Sequence, residues 1–481
     1  MKKRRKMQPS RYKTLLQNTG LMFIGSFGSK IISFIMLPFY TMWLSVEDYG
    51  TCDIINVYAT VLLAFVSLSI GEAIFVIPSQ KSKERQSSYF SSSLVFSISC
   101  ILLVVILYFV VNCFFNGLQS SFTKNIGYIC LITSTTLYTT IFQQFCKGIN
   151  KIKVFALAGI VQTLVVATMG FVLIPHYKLD GYIWCILIAN VITMIYIFFS
   201  AKLYEYIDIH SYSTERLKEM FNYSIPLIPN SVIWLIVSYL NRPMMENYLG
   251  LYALGIYSLA NRFPLLINTL YNNLSNSWQI SILDQYGKEG FSRFYNNVIL
   301  LAFCMMSIFV AVFSLFTKPL VQTFLNSNYY ESIDYIPILC LSCLFISLGS
   351  MVGAIFSAVR KSKYFFYSSV WSALAAIVLN LVLIKNFGLY GACWACVISY
   401  IIGGFSRVLY ARQFNTIVSI KYIIIISFIS TAIVCAISYT GNYIIGLLLT
   451  LLLLLYICIV MKRIELLPLL LSKIRNNGKN Q

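Results

Sequence analysis

The chain has 481 residues, of which 58% are apolar, 16% aromatic and only 11% charged. A soluble domain carries about a quarter charged residues, so this composition excludes a soluble enzyme or binding module and makes the bilayer the solvent. The 36 Lys and Arg against 16 Asp and Glu, a net charge of +20, therefore have to be read as membrane topology before they are read as affinity for nucleic acid.

Apolar segments of about 20 residues, long enough for a hydrocarbon core of roughly 30 Å, recur along the whole length. In chain order they are expected near 15–43, 54–78, 89–114, 124–146, 153–175, 181–203, 218–244, 250–278, 294–317, 333–358, 364–385, 388–411, 420–438 and 442–461. The fold class is thus all-α and integral to the membrane, with about 14 transmembrane helices. A basic run, Lys2 to Lys6 with Arg11 and Lys13, precedes the first; that apolar segment is too long for a cleaved signal, so 1–14 reads as a cytoplasmic tail. Thereafter every second gap is basic. Lys81, Lys83 and Arg85 are followed by Lys147, Lys151 and Lys153, then Arg216 and Lys218, Lys288 and Arg293, Arg360 and Lys361, Arg412 and Lys421, and a basic tail over 462–481. The opposite gaps hold only Lys124, Lys178, Lys318 and Lys385. This bias predicts cytoplasmic termini, with membrane lipid and no nucleic acid as partner.

One stretch recurs without a gap at an offset of 210 residues. Lys151-Ile-Lys153-Val-Phe155 returns as Lys361-Ser-Lys363-Tyr-Phe365, and Leu179, Gly181 and Trp184 return as Leu389, Gly391 and Trp394. The expected organisation is a six-helix lobe over 15–207, a cytoplasmic linker over 208–217, a parallel six-helix lobe over 218–411, and two accessory helices over 420–461. Repeated bundles in a membrane chain point to a transporter. The thirteen cysteines include Cys340-x-x-Cys343 and Cys393-x-x-Cys396, but both lie in apolar helices away from His176 and His210. They read as packed thiols, with no metal and no cofactor.

Four charges break the apolar pattern: Lys30, Glu72, Arg242 and Arg262. A charge at the bilayer centre costs about 2.5–3.5 kcal/mol on insertion scales, so each is expected to face a hydrated interior or a partner, Glu72 pairing with Lys30 in one arrangement. Three cations would make a basic chamber between the lobes, suited to an anionic headgroup: Arg grips phosphate oxygens in a fork and Lys acts as a point charge. Asn241 and Asn261 are candidate hydrogen-bond donors to sugar hydroxyls. Glu72 and Asp53 are the candidate carboxylates for ion coupling. The gaps between spans are too short for a catalytic domain, which argues against a polymerase or ligase.

Phe34-Ile-Met-Leu-Pro38-Phe-Tyr40-Thr-Met42-Trp-Leu44-Ser45, Glu47-Asp-Tyr-Gly50 and Ser69-Ile-Gly-Glu72-Ala73 resemble the opening of bacterial polysaccharide flippases of the multidrug/oligosaccharidyl-lipid/polysaccharide exporter superfamily. Ile225-Pro-Leu-Ile-Pro229-Asn, Asn241-Arg242, Leu249-Gly250 and Leu254-Gly255-Ile-Tyr257-Ser258 agree with it. The resemblance implies a two-lobed transporter of undecaprenyl-pyrophosphate-linked oligosaccharide, working beside polymerase and other polysaccharide assembly proteins. Met42 stands where related sequences often carry Arg, and Asn241 where they often carry Asp. A lipid II flippase and a cation-coupled drug exporter are the alternatives; the basic chamber disfavours the second.

Overall fold

The computed structural model describes residues 25–79, 81–114, 120–208, 211–415 and 420–463. The tail 1–14, the start of the first expected span, His210 and the basic tail beyond 463 lie outside the described residues. Every regular element described is helical, as a chain in lipid requires when it has no closed barrel to satisfy its backbone. The chain divides into two compact units, residues 1–235 and 236–481.

In the first unit a helix over 25–35 leads into α1 (Leu37–Trp43), which Pro38 opens, the position where a missing N–H costs nothing. Gly25 brings this helix against α7: a Cβ there would stand 2.8 Å from the Ala156 carbonyl oxygen. α2 (Val46–Ser67) begins at Ser45, whose hydroxyl accepts from the Asp48 N–H at 3.1 Å, with Glu47 and Asp48 in the first turn. The Ser45 to Gly50 motif is therefore a helix start. The expected continuous span over 54–78 is interrupted. Leu68 and Ser69 adopt left-handed backbone, with φ of 48° and 56°, and separate α2 from the short α3 (Ile70–Val76). The break strands carbonyls of α2, and the Cys100 thiol donates to one of them, that of Val66, at 3.2 Å.

α4 (Lys83–Phe114), α5 (Ser121–Lys124), α6 (Ile126–Gly148) and α7 (Ile152–Ser200) follow, and α8 (Thr214–Ser224) comes after a short 3-10 turn. The segment 208–217, expected as a linker, is fastened to α4. Ser88 donates to the Ser211 carbonyl at 2.7 Å, Ser92 accepts from the Ser213 N–H at 3.1 Å, and Tyr89 donates to Glu219 at 2.5 Å. Inside the unit, Asn190 of α7 donates to Thr135 (3.1 Å) and Thr136 (3.2 Å) of α6 and accepts from Gln162 at 2.8 Å. Interhelical hydrogen bonds in bilayers contribute roughly 0.6 kcal/mol each. Asn190→Leu is expected to destabilise the unit by about 1–2 kcal/mol, read as a lower thermal midpoint in detergent.

α9 (Ile228–Tyr239) crosses the boundary between units. Beyond it lie α10 (Asn241–Ala260), α11 (Arg262–Gln285), α12 (Phe291–Phe324), α13 (Ser332–Ala358), α14 (Lys363–Ala411), α15 (Ile420–Thr440) and α16 (Tyr443–Arg463). α13 is the core of this unit, with Cys340 and Cys343 fully buried; the Cys343 thiol donates to the Pro264 carbonyl at 3.6 Å. α16 presents Leu447, Leu448, Leu451, Leu452 and Leu455 outward, as a lipid-facing anchor does.

The sequence repeat is a repeat of backbone. α7 and α14 are each 49 residues long, about 70 Å of helix and more than twice a hydrocarbon core. Each folds at its middle, at Lys178 (φ 47°) and at Gly388 (φ 59°). Just past the corner, a Cβ on Gly181 would lie 2.4 Å from the Leu173 carbonyl oxygen, and one on Gly391 would lie 1.9 Å from that of Leu383. The preceding loops match as well. Asn150 and Arg360 have φ of 63° and 56°, and the N–H of Lys151 and of Lys361 closes on the Cys146 and Phe356 carbonyls at 2.8 and 2.9 Å, the 6→1 closure of a left-handed helix cap.

Candidate functional site

In the second unit, α10 is a helical hairpin. Gly250, with φ 82°, turns the chain between its arms in a conformation open to glycine at little cost. The turn brings residues 16 apart into contact: the Asn241 amide donates to the Tyr257 hydroxyl at 2.6 Å. The Asn241 side-chain oxygen accepts from the Arg242 guanidinium at 3.0 Å, and the Ser238 carbonyl accepts from the same nitrogen at 2.6 Å. The guanidinium carbon stands 5.2 Å from the Tyr239 ring centroid and 5.5 Å from that of Tyr257. Arg242 is only 4% exposed and Asn241 6%. These are the groups that hold a desolvated cation: carbonyl oxygens that accept from the guanidinium and aromatic faces near it.

Asn261 and Arg262 continue the second arm of that hairpin. The Asn261 N–H donates to the Tyr257 carbonyl at 2.9 Å, and Arg262 opens α11, both side chains half-buried. The structure thus brings Asn241, Arg242, Tyr257 and Asn261 onto one hairpin and puts Arg262 at the next position. Tyr257 was quoted in the motif but not singled out by sequence. The spacing of 16 residues means nothing along a straight helix; only Gly250 read as a hairpin apex signals the contact.

The first unit places its candidates on three elements. Lys30 is exposed on the helix over 25–35, outside the Gly25 and Ser29 face that meets Ala156 and Gly159 of α7. Asp53 is half-buried on α2. Glu72 lies in the first turn of α3 and is exposed. It makes no ion pair with any described residue. The left-handed break at Leu68 and Ser69 separates α3 from α2, so Glu72 does not continue a face of α2.

An all-helical chain of two units, each carrying the same folded long helix, has the architecture of a multi-pass membrane protein. The fold is similar to that of the lipid II flippase MurJ in its inward closed conformation, with a TM-score of 0.67 and 18% identity over 92% of this chain and 99% of that one. It is also similar to an inward-facing multidrug resistance MATE family transporter, with a TM-score of 0.66 and 16% identity over 80% of this chain and 94% of the other. The family described as "Polysaccharide biosynthesis protein" matches residues 15–278, more than half of the sequence, and the chain belongs to that family. A second family description, MatE, matches residues 226–382. Among curated proteins, the capsular polysaccharide biosynthesis protein CapF of Staphylococcus aureus is 23% identical over 80% of this chain and 96% of its own length. An uncharacterized membrane protein of Methanocaldococcus jannaschii is 24% identical over 57% of this chain. The protein is accordingly a multi-pass membrane protein of the polysaccharide biosynthesis family, with a fold shared with MurJ and MATE transporters.

Proposed function

We propose that the protein moves undecaprenyl-pyrophosphate-linked oligosaccharide repeat units from the cytoplasmic to the outer leaflet of a bacterial plasma membrane by alternating access, with both termini cytoplasmic. The observation that supports this reading best is the caged Arg242 in a chain of the polysaccharide biosynthesis family: a permanent cation at membrane depth suits an anionic lipid-linked cargo and repels organic cations. In this reading Arg242, Arg262 and Lys30 attract the pyrophosphate, Asn241 and Asn261 hydrogen-bond to sugar, and Glu72 or Asp53 carries the coupling ion. Lipid-linked oligosaccharide, membrane lipid and neighbouring polymerase and assembly proteins are its partners.

The test is a deletion strain in which lipid-linked repeat units are scored for access to an external glycan-modifying probe. Loss of the protein is expected to hold them on the cytoplasmic side, and externalisation at the normal rate would falsify the reading. Arg262→Ala and Lys30→Ala are each expected to lower export at least about ten-fold while the protein is still made and inserted. Normal export by both variants removes them from the cargo path. The likeness to MurJ supports one second reading, transport of lipid II. Rescue of a strain lacking its lipid II flippase, with no effect on surface polysaccharide, selects that cargo.

A further inference from the structure

At the end of the second unit where α13 passes into α14, three cations share one aromatic platform. The buried Phe356 ring touches Phe365 (5.3 Å between centroids), Tyr364 (5.6 Å) and Phe414 (6.3 Å). Each of those rings carries a cation: Arg407 lies 5.4 Å from Phe365, Lys363 5.4 Å from Tyr364, and Lys361 5.1 Å from Phe414. The Arg407 guanidinium is half-buried in a slot that Gly349 and Gly353 leave open. A Cβ at either glycine would meet its Nη1 at 3.5 or 3.6 Å. Its Nε donates to the Ser368 hydroxyl at 3.1 Å. None of the three cations pairs with a carboxylate among the described residues. Beside Phe414, the amide nitrogen of Asn415 is buried and has no acceptor among the described residues. The cluster is rich in donors and short of acceptors.

The first unit supplies an internal control. At the 210-residue offset, Lys151, Lys153 and Phe155 match Lys361, Lys363 and Phe365, but Ile197 and Ala158 stand at the places of Arg407 and Ser368. Both are fully buried in one apolar cluster. Glu205 stands at the place of Asn415 and accepts from Lys83 at 2.6 Å, which holds its carboxyl below the usual carboxylate range. The same corner can therefore be filled by aliphatic packing and neutralised by a carboxylate. In the second unit both are replaced by donors, so a scaffold requirement does not account for them. On the adjoining face of α14, Phe366, Tyr367 and Trp371 are 39%, 44% and 53% exposed. Tyr and Trp gather in this way at headgroup depth.

We propose that this corner is a binding site for the phosphate of an anionic phospholipid headgroup, with Arg407 as its fixed ligand, Asn415 as a further donor, and Lys361 and Lys363 as its outer charges. The site is independent of the cargo assignment.

The test uses the full-length protein in phosphatidylcholine nanodiscs, with phosphatidylglycerol as the probe and native mass spectrometry as the readout. Wild type is expected to retain phosphatidylglycerol over phosphatidylcholine by about ten-fold. The double variant Arg407→Ile with Ser368→Ala, which installs the residues of the first unit, is expected to lose that preference while keeping its thermal midpoint in phosphatidylcholine. Retention of the preference overturns the proposal. If the double variant does not fold, Lys361→Gln with Lys363→Gln, at exposed positions, is expected to weaken the preference at least about three-fold, and an unchanged preference again overturns it. Equal stabilisation by inorganic phosphate, or displacement of phosphatidylglycerol by a soluble short-chain polyprenyl diphosphate at equal concentration, would assign the site to a phosphate source other than phospholipid and so overturn the assignment.

Discussion

Gly391→Ala is expected to remove most of the folded protein from the membrane fraction. The added Cβ would lie 1.9 Å from the Leu383 carbonyl oxygen and 2.4 Å from its carbon, backbone atoms that cannot rotate away as a side chain does. Overpacking commonly costs about 1–3 kcal/mol when side chains can yield. Here the corner of α14 would have to open, so the cost should exceed that range. Gly181→Ala, with its closest approach at 2.4 Å, should behave similarly. Gly28→Ala, where a Cβ meets nothing within 4 Å among the described residues, should stay within about 0.5 kcal/mol of wild type. Yield of monodisperse protein and its thermal midpoint read the three variants side by side, and a normal Gly391→Ala protein would refute the packing argument.

Arg242→Met is expected to cost about 2–4 kcal/mol, since it removes two charge-assisted hydrogen bonds and two ring contacts and leaves the Asn241 oxygen without its donor. Arg242→Lys keeps the charge but not the planar fork, and should recover part of the stability. The Tyr257→Phe variant deletes the hydroxyl that accepts from Asn241 and also hydrogen-bonds the Cys396 thiol, and leaves the ring in place, so it should cost about 1–2 kcal/mol. A thermal series over the three variants tests the cage, and equal midpoints for Arg242→Met and wild type would show that the cage does not hold the hairpin.

Much of the fold was legible in the sequence because lipid imposes a coarse and strict rule. Hydropathy placed the long helices, and the gaps it left between 175 and 181 and between 385 and 388 fall at the corners of α7 and α14. The breaks were less legible. Nothing in Leu68-Ser69 distinguishes a left-handed pair from ordinary helix, so α2 and α3 read as one span. The candidate site was legible by charge and not by contact. Arg242 was singled out because it was expensive in lipid, but its partner Tyr257 emerges only when Gly250 folds α10 back. Arg407 is not among the charges that the sequence marks out. Only the buried Ile197 at the matching place in the first unit marks it as unusual.

The folded helices α7 and α14 also bear on how the protein is made. The corners at Lys178 and Gly388 leave almost no chain outside the two arms, so neither arm can be handed to the bilayer while the other waits in water. Each pair should therefore leave the translocon as a single hairpin.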